Sequence, residues 1–332
     1  MNKYLDPEYA SYEEIQREKK DIRKTSNLIG AAFIILWLLP NIINGIITDT
    51  AKLFGATLVI GNLFSDPAFI MVLQTVYSVL MFTLPFIILP LGVGKRISEL
   101  AIIKRPKKRL LIPFLFIGMG TSAFANVLTN NVSGFFEAFG IHFKSPDIVY
   151  PEGIFGFALS FLAIAVTPAL VEEFATRGMV MGAAREHGEV FGLVTSAIFF
   201  SLMHGNLVQI PFAFVMGLVI GFAVIKTGSL ITGIVIHFAN NAIAVSMTYI
   251  LELTESVILE SVISMVYLAL CTLLFLVGIS LAQKREKKVW SMTKSESFLL
   301  FGEKLRLFIF SPTVIVAIGL TVIDCISMIT IG

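Results

Sequence analysis

Charge is scarce in these 332 residues: Asp, Glu, Lys and Arg together make up 14%, against roughly a quarter in an ordinary soluble domain. Too few polar side chains remain to cover a water-facing surface, while 56% of residues are hydrophobic and the mean hydropathy is +0.86. The chain therefore reads as an integral membrane protein. Cysteine is scarcer still, with Cys271 and Cys325 both in apolar runs, where they read as small packed hydrophobes and not as a disulfide or a metal site. The net charge of +2 is nearly neutral, so nothing argues for nucleic acid as a partner.

What is present in quantity is apolar sequence of bilayer length. A span needs about 20 mostly apolar residues. On that criterion nine are expected, over 28–48, 68–92, 110–130, 153–184, 190–207, 209–226, 229–250, 259–282 and 307–331, the fifth and sixth short and nearly continuous. The expected fold is an all-α, polytopic membrane helix bundle of about eight or nine transmembrane helices.

Residues 1–27 are polar for longer than the leading region of a cleaved signal peptide and read as a retained cytosolic segment. Asp6 and Pro7 suit a helix start, and Glu13 and Arg17 stand one turn apart. Basic residues set the orientation. Lys19, Lys20, Arg23 and Lys24 precede the first span, and Lys95, Arg96, Lys104, Arg105, Lys107, Lys108 and Arg109 follow the second. Arg185, Lys226 and the group Lys284, Arg285, Lys287 and Lys288 fall in loops of the same parity, whereas the intervening loops carry Asp49, Asp66, Asp147, Glu152, Glu252 and Glu255. The positive-inside rule then puts the N-terminus in the cytosol and the C-terminus outside, in the cell (plasma) membrane as the expected location. Residues 289–306 mix Trp290, Phe298, Leu299 and Phe301 with Lys and Glu, as expected of a segment lying in the interface.

Against this background VEEFATRG, residues 171–178, stands out. One charge at the bilayer centre costs at least ~2.5 kcal/mol, so Glu172, Glu173 and Arg177 need a reason to be there. Glu173 and Arg177 are four apart and can pair, whereas Glu172 points about 100° away and is left without that partner, free for work as a general base. Thr167-Pro168 is expected to bend the helix just before the carboxylates and open space. An ion-pair cluster that only ties helices together is the plainer alternative.

Only four histidines exist, and His142 and His187 fall in loops. His204 and His237 lie inside expected spans. Phe200 is one turn before His204 and can hold its ring, and His237 and Asn241 are one turn apart as two donors on one helix face. Counted from the expected basic ends of their spans, Glu172, His204, His237 and Asn241 lie about 18, 21, 16 and 22 Å deep, at 1.5 Å per residue. They converge on one level. The pairs Gly178 with Gly182 and Gly217 with Gly221 allow close helix approach.

EEFATR at 172–177, FSLMH at 200–204 and HFANN at 237–241 fit the successive patterns EExxxR, FxxxH and HxxxN. In these residues the chain resembles the CPBP family of CAAX-prenyl-protease and bacteriocin-processing intramembrane proteases, also called the Abi family. The resemblance covers roughly residues 153–250 and divides the chain into a cytosolic segment (1–27), N-terminal membrane helices (28–152), a protease-like core (153–250) and C-terminal membrane helices (251–332) with an interfacial linker at 284–306.

The resemblance implies that Glu172 and His204 activate a water while His237 and Asn241 stabilise the oxyanion, with Glu173, Arg177 and Phe200 in support. The implied partners are a peptide or protein substrate, which the family includes in prenylated form, and the lipid bilayer. No cofactor is expected on this reading. Glu172, His204 and His237 also have the ligand types of a zinc site, but no HExxH helix is present and the metal-free mechanism is preferred. A non-catalytic immunity factor or a proton-coupled transporter using the same cluster is the alternative from another class.

Overall fold

The computed structural model describes residues 12–53, 61, 64–144, 148–252, 256–293 and 297–331. Asp6, Pro7, Asp147 and Glu255, together with residues 294–296 of the expected interfacial segment, lie outside the described residues. The described chain is almost entirely helical. In order come α1 (Tyr12–Leu53), α2 (Pro67–Val93), the short α3 (Ile97–Leu100), α4 (Lys108–Glu137), β1 (Ile141–Phe143) and a long composite helix α5 (Gly153–His187). After it come α6 (Glu189–Leu202), α7 (Gln209–Thr227), α8 (Leu230–Glu252), α9 (Val257–Arg285), α10 (Phe301–Ile309), α11 (Pro312–Ser327) and β2 (Ile329–Ile331).

Seven of these helices are long and apolar enough to cross a bilayer, and α10 with α11 makes an eighth if that pair, bent by 69°, is one span. The protein is thus a multi-pass integral membrane protein. The nine-span expectation fails at α6. With 14 residues it reaches only about 21 Å, so it ends inside the bundle instead of crossing it. The last expected span, 307–331, is divided instead: α10 runs to Ile309 and the bend falls before Pro312, where a residue without an N–H can open a new helix. At the chain start, Glu13 and Arg17 form no ion pair among the described residues.

Lipid exposure is visible on α9, whose mean hydropathy is 2.6 although only 11% of its apolar stretch is buried within the protein. Side chains such as Val266, Leu273 and Leu276 face outwards, as a bilayer permits and water would not. The buried core falls into two clusters. One joins α1, α2, α6 and α10 through aromatic rings, with Phe33 4.0 Å from Phe199 and Phe199 5.5 Å from Phe308. The other packs α4 against α7 around Phe114, Met216 and Ile220. Cys271 and Cys325 are buried and free, as packed hydrophobes should be.

The loops expected to share one side do meet at one end of the bundle. Lys95 pairs with Glu186 at 2.9 Å, Arg109 with Glu286 at 2.9 Å, the Lys107 N–H donates to the Thr227 carbonyl at 3.3 Å, and Lys226 donates to the Ser291 carbonyl. At the other end β1 and β2 pair antiparallel, Ile141 opposite Ile331, a contact no sequence pattern announced. Asp66 caps α2 there, accepting from the Phe69 N–H at 2.8 Å.

Candidate active site

The site is built where α5, α6 and α8 meet. α5 runs through Pro168 as one composite helix, and its helix type changes on either side of the proline. Residues Phe161–Val166 and Phe174–Val180 are π-helical, on either side of the α-helical Thr167–Glu173. In the first π stretch the Thr167 N–H reaches back five residues to the Leu162 carbonyl. This wider turn accommodates the proline ring without a break, and π turns of this kind recur at functional sites.

The two glutamates have different surroundings. Glu173 is fully buried and its Oε1 accepts from Arg177 Nη1 at 2.5 Å and lies 3.0 Å from His237 Nδ1. Arg177 also donates to Thr176 Oγ1 at 2.9 Å and lies 4.0 Å over the Phe200 ring. Glu172 has no ion pair with Arg177; its nearest charged or titratable partner is His237 Nε2, 3.9 Å from Oε2. That distance is too long for a direct hydrogen bond. The Glu172 side chain keeps 14% of its surface exposed, against 0% for Glu173, so the two adjacent carboxylates divide into a reachable one and a sealed one.

Phe200 ties both histidines to that cluster. Its ring lies 5.3 Å from His204 and 5.6 Å from His237, edge-on to each. His204 Nδ1 lies 2.8 Å from the Phe200 carbonyl, which can only accept, so Nδ1 carries the proton and Nε2 is left with its lone pair. By the same logic the Glu173 carboxylate fixes a proton on His237 Nδ1.

His204 sits just past the end of α6, in a buried non-helical loop. Such backbone survives at membrane depth only when its polar groups find protein partners. Gly205 turns the chain at φ 57°, a conformation that strains L side chains, and a Cβ there would meet Trp37 at 2.5 Å. Asn206 then closes the loop, donating to the Lys144 carbonyl at 2.8 Å and accepting from the Val208 N–H at 2.8 Å.

On α8, Asn241 Nδ2 donates to the Ile164 carbonyl at 3.0 Å, and its Oδ1 accepts from Asn240 Nδ2 at 3.0 Å. Asn240 in turn accepts from Ser122 on α4. An amide nitrogen has two N–H groups, so Asn241 keeps one for another acceptor.

All seven residues singled out in the sequence thus fall in one neighbourhood. Sequence reasoning missed Asn206, Asn240, Ser122 and the Arg177–Phe200 contact. Two adjacent asparagines in an apolar helix were the one available signal for the Asn240 link. Gly233 was also missed: a Cβ there would stand 2.6 Å from Glu173 Oε2, so only glycine leaves room for that carboxylate. The glycine pairs behave as expected, with Gly182 against Leu100 and Gly217 against Ala197. For zinc the fit is poor: among the described residues no three His, Cys, Asp or Glu side chains group closely enough to hold a metal ion.

No curated protein matches the chain, and no solved structure does. A family model does match residues 154–243, the model described as type II CAAX prenyl endopeptidase Rce1-like, and that segment contains every residue of the site from Glu172 to Asn241. Within this multi-pass membrane protein, residues 154–243 thus match the Rce1-like domain model of the CPBP family.

Proposed function

We propose that the chain is an intramembrane endopeptidase that hydrolyses a peptide bond with water activated by Glu172, without a metal. The observation that carries this reading is the division of labour between the carboxylates: Glu173 is committed to Arg177 and His237, while Glu172 is partly exposed and lacks a salt bridge to Arg177.

In the proposed step a water lies between Glu172 and His237 Nε2, whose 3.9 Å separation one water can bridge. Glu172 takes a proton from it, with His204 Nε2 accepting a hydrogen bond from the same water. The water oxygen bonds to the scissile carbonyl carbon and the carbonyl oxygen becomes an oxyanion. His237, its ring held at Nδ1 by Glu173, donates from Nε2 to that oxyanion. The second N–H of Asn241 does the same. Donors fixed in advance around the developing charge are worth several kcal/mol in a site that excludes bulk water. The proton held by Glu172 then passes to the leaving nitrogen as the C–N bond breaks, so atoms and charge balance.

The substrate is a peptide or protein, and a prenylated C-terminal peptide is the first to try, on the strength of the domain match. The proposed orientation places the basic end of the bundle, and so the N-terminus, in the cytosol. The test is cleavage of prenylated C-terminal peptides and short unmodified leader peptides by the purified protein in detergent, with and without chelator. Cleavage indifferent to chelator supports the reading. Cleavage lost with chelator and restored by zinc replaces it with a metalloenzyme, and a folded protein that cuts none of the panel counts against a prenyl endopeptidase.

A further inference from the structure

The charges of the N-terminal part of α1 line two cavities. Glu14, Glu18 and Asp21 line one together with Arg17 and Glu186, and Glu18 is already engaged there, accepting from Ser297 Oγ and from the Phe298 N–H at 3.0 Å. Lys19 and Arg23, one turn apart, line a different cavity of about 410 Å³ together with Arg306, Glu303, Leu307 and Phe310 of the α10 region.

That second cavity holds an excess of positive charge. Among the described residues none of Lys19, Arg23 and Arg306 has a salt bridge or a side-chain hydrogen bond. Glu303 does not answer them, because its Oε2 turns back to accept from the Leu300 N–H at 2.9 Å and caps α10. Of the three basic residues lining another cavity, next to α3, two are neutralised: Lys95 pairs with Glu186 and Arg96 with Glu99, and only Lys104 has no carboxylate partner among the described residues. The α1–α10 cavity thus gathers three unpaired cations where the other keeps one.

Its place in the fold says which anion. α10 packs beside α1, and its inner face is held to the end of α5 and to α6, where Lys304 donates to the His187 carbonyl at 2.6 Å and Phe308 packs on Phe191 and Phe199. Arg306, the partly buried Leu307 and the exposed Phe310 line the cavity just before the 69° bend to α11. Arg23 lies five residues before the apolar run that starts at Leu28, about 7 Å along the helix and within the headgroup layer. Three cations beside two apolar side chains at that depth match a phosphate with acyl chains attached.

We propose that Lys19, Arg23 and Arg306 form a binding site for the headgroup of an anionic glycerophospholipid, with Leu307 and Phe310 against its acyl chains. The site is separate from Glu172 and stands whether or not the protein is a protease.

The experiment is native mass spectrometry of the full-length protein released from detergent after titration with phosphatidylglycerol, phosphatidylcholine or inorganic phosphate. The wild type is expected to retain one phosphatidylglycerol at concentrations where phosphatidylcholine is lost. Lys19→Gln/Arg23→Gln/Arg306→Gln is expected to bind at least tenfold more weakly, and Arg306→Gln alone to fall between. Lys104→Gln/Arg105→Gln, away from the cavity, controls for total charge and should bind as the wild type does. Equal retention by the triple variant, equal binding of phosphatidylcholine, or displacement of the lipid by millimolar phosphate would each overturn the proposal, the last by assigning the cavity to a free anion. The single variant changes one exposed, unpaired side chain and keeps the test decisive if the triple variant does not fold.

Discussion

Asn241 Nδ2 donates to the Ile164 carbonyl at 3.0 Å, and the residue four positions after Ile164, whose N–H would serve that carbonyl in a regular α-helix, is Pro168. A side chain of α8 thus answers an acceptor that the proline leaves without its α-helical donor. Asn241→Ala should destabilise the fold by about 1–3 kcal/mol, the cost of an acceptor left unpaired. Pro168→Ala restores an N–H at that position, so the loss caused by Asn241→Ala should shrink in the Pro168→Ala background. Thermal unfolding of the four proteins in one detergent checks this; strictly additive losses would disconnect the two residues.

The Glu173–Arg177 pair is sealed from solvent on both sides. Arg177→Met leaves a buried carboxylate with only His237 beside it, and a loss of about 3–5 kcal/mol is expected. Arg177→Lys keeps the charge but gives up the planar face on Phe200 and should lose less. The yield of monodisperse protein and its melting temperature should rank wild type, then Lys, then Met. A Met variant as stable as the wild type contradicts the assignment.

Gly233→Ala puts a methyl carbon 2.6 Å from Glu173 Oε2, on a carboxylate that Arg177 and His237 hold through Oε1. Overpacking of this kind costs about 1–3 kcal/mol. Gly319→Ala meets nothing within 4 Å and serves as the control, with unchanged stability expected. Melting curves of the two variants should differ in that order.

Asn206 holds the loop that presents His204 by two hydrogen bonds of 2.8 Å. Asn206→Ala should raise the rate of amide hydrogen exchange in residues 203–208 while leaving α7 and α8 protected. Uniform exchange across all three regions would show that the loop has no local anchor.

Much of this was legible in the sequence because membrane sequence is sparse in polar groups. Against 56% hydrophobic composition, Glu172, Glu173, Arg177, His204, His237 and Asn241 stand out singly, and helical spacing gave the Glu173–Arg177 pair and the Phe200–His204 packing. Three things were hidden for physical reasons. The end of α6 at Leu202 was missed because Leu207 and Val208 resume the apolar run at once after His204, Gly205 and Asn206, and no proline or charged residue separates the two runs. The π turns on either side of Pro168 could not be read, because a π turn leaves no local composition signature. The Asn206–Lys144 and Ser122–Asn240 bonds join residues 62 and 118 positions apart, a separation no periodicity reports.

The central claim rests on Glu172, the carboxylate that Arg177 does not pair. Its most direct test is single-turnover cleavage of a prenylated C-terminal peptide by wild type and Glu172→Gln, both verified as folded by their melting curves. The expected result is a fall of about 10²–10⁴-fold in the Gln variant, the range for losing a positioned base, with wild-type cleavage unchanged by chelator. A folded Glu172→Gln protein that cleaves at the wild-type rate would contradict the account.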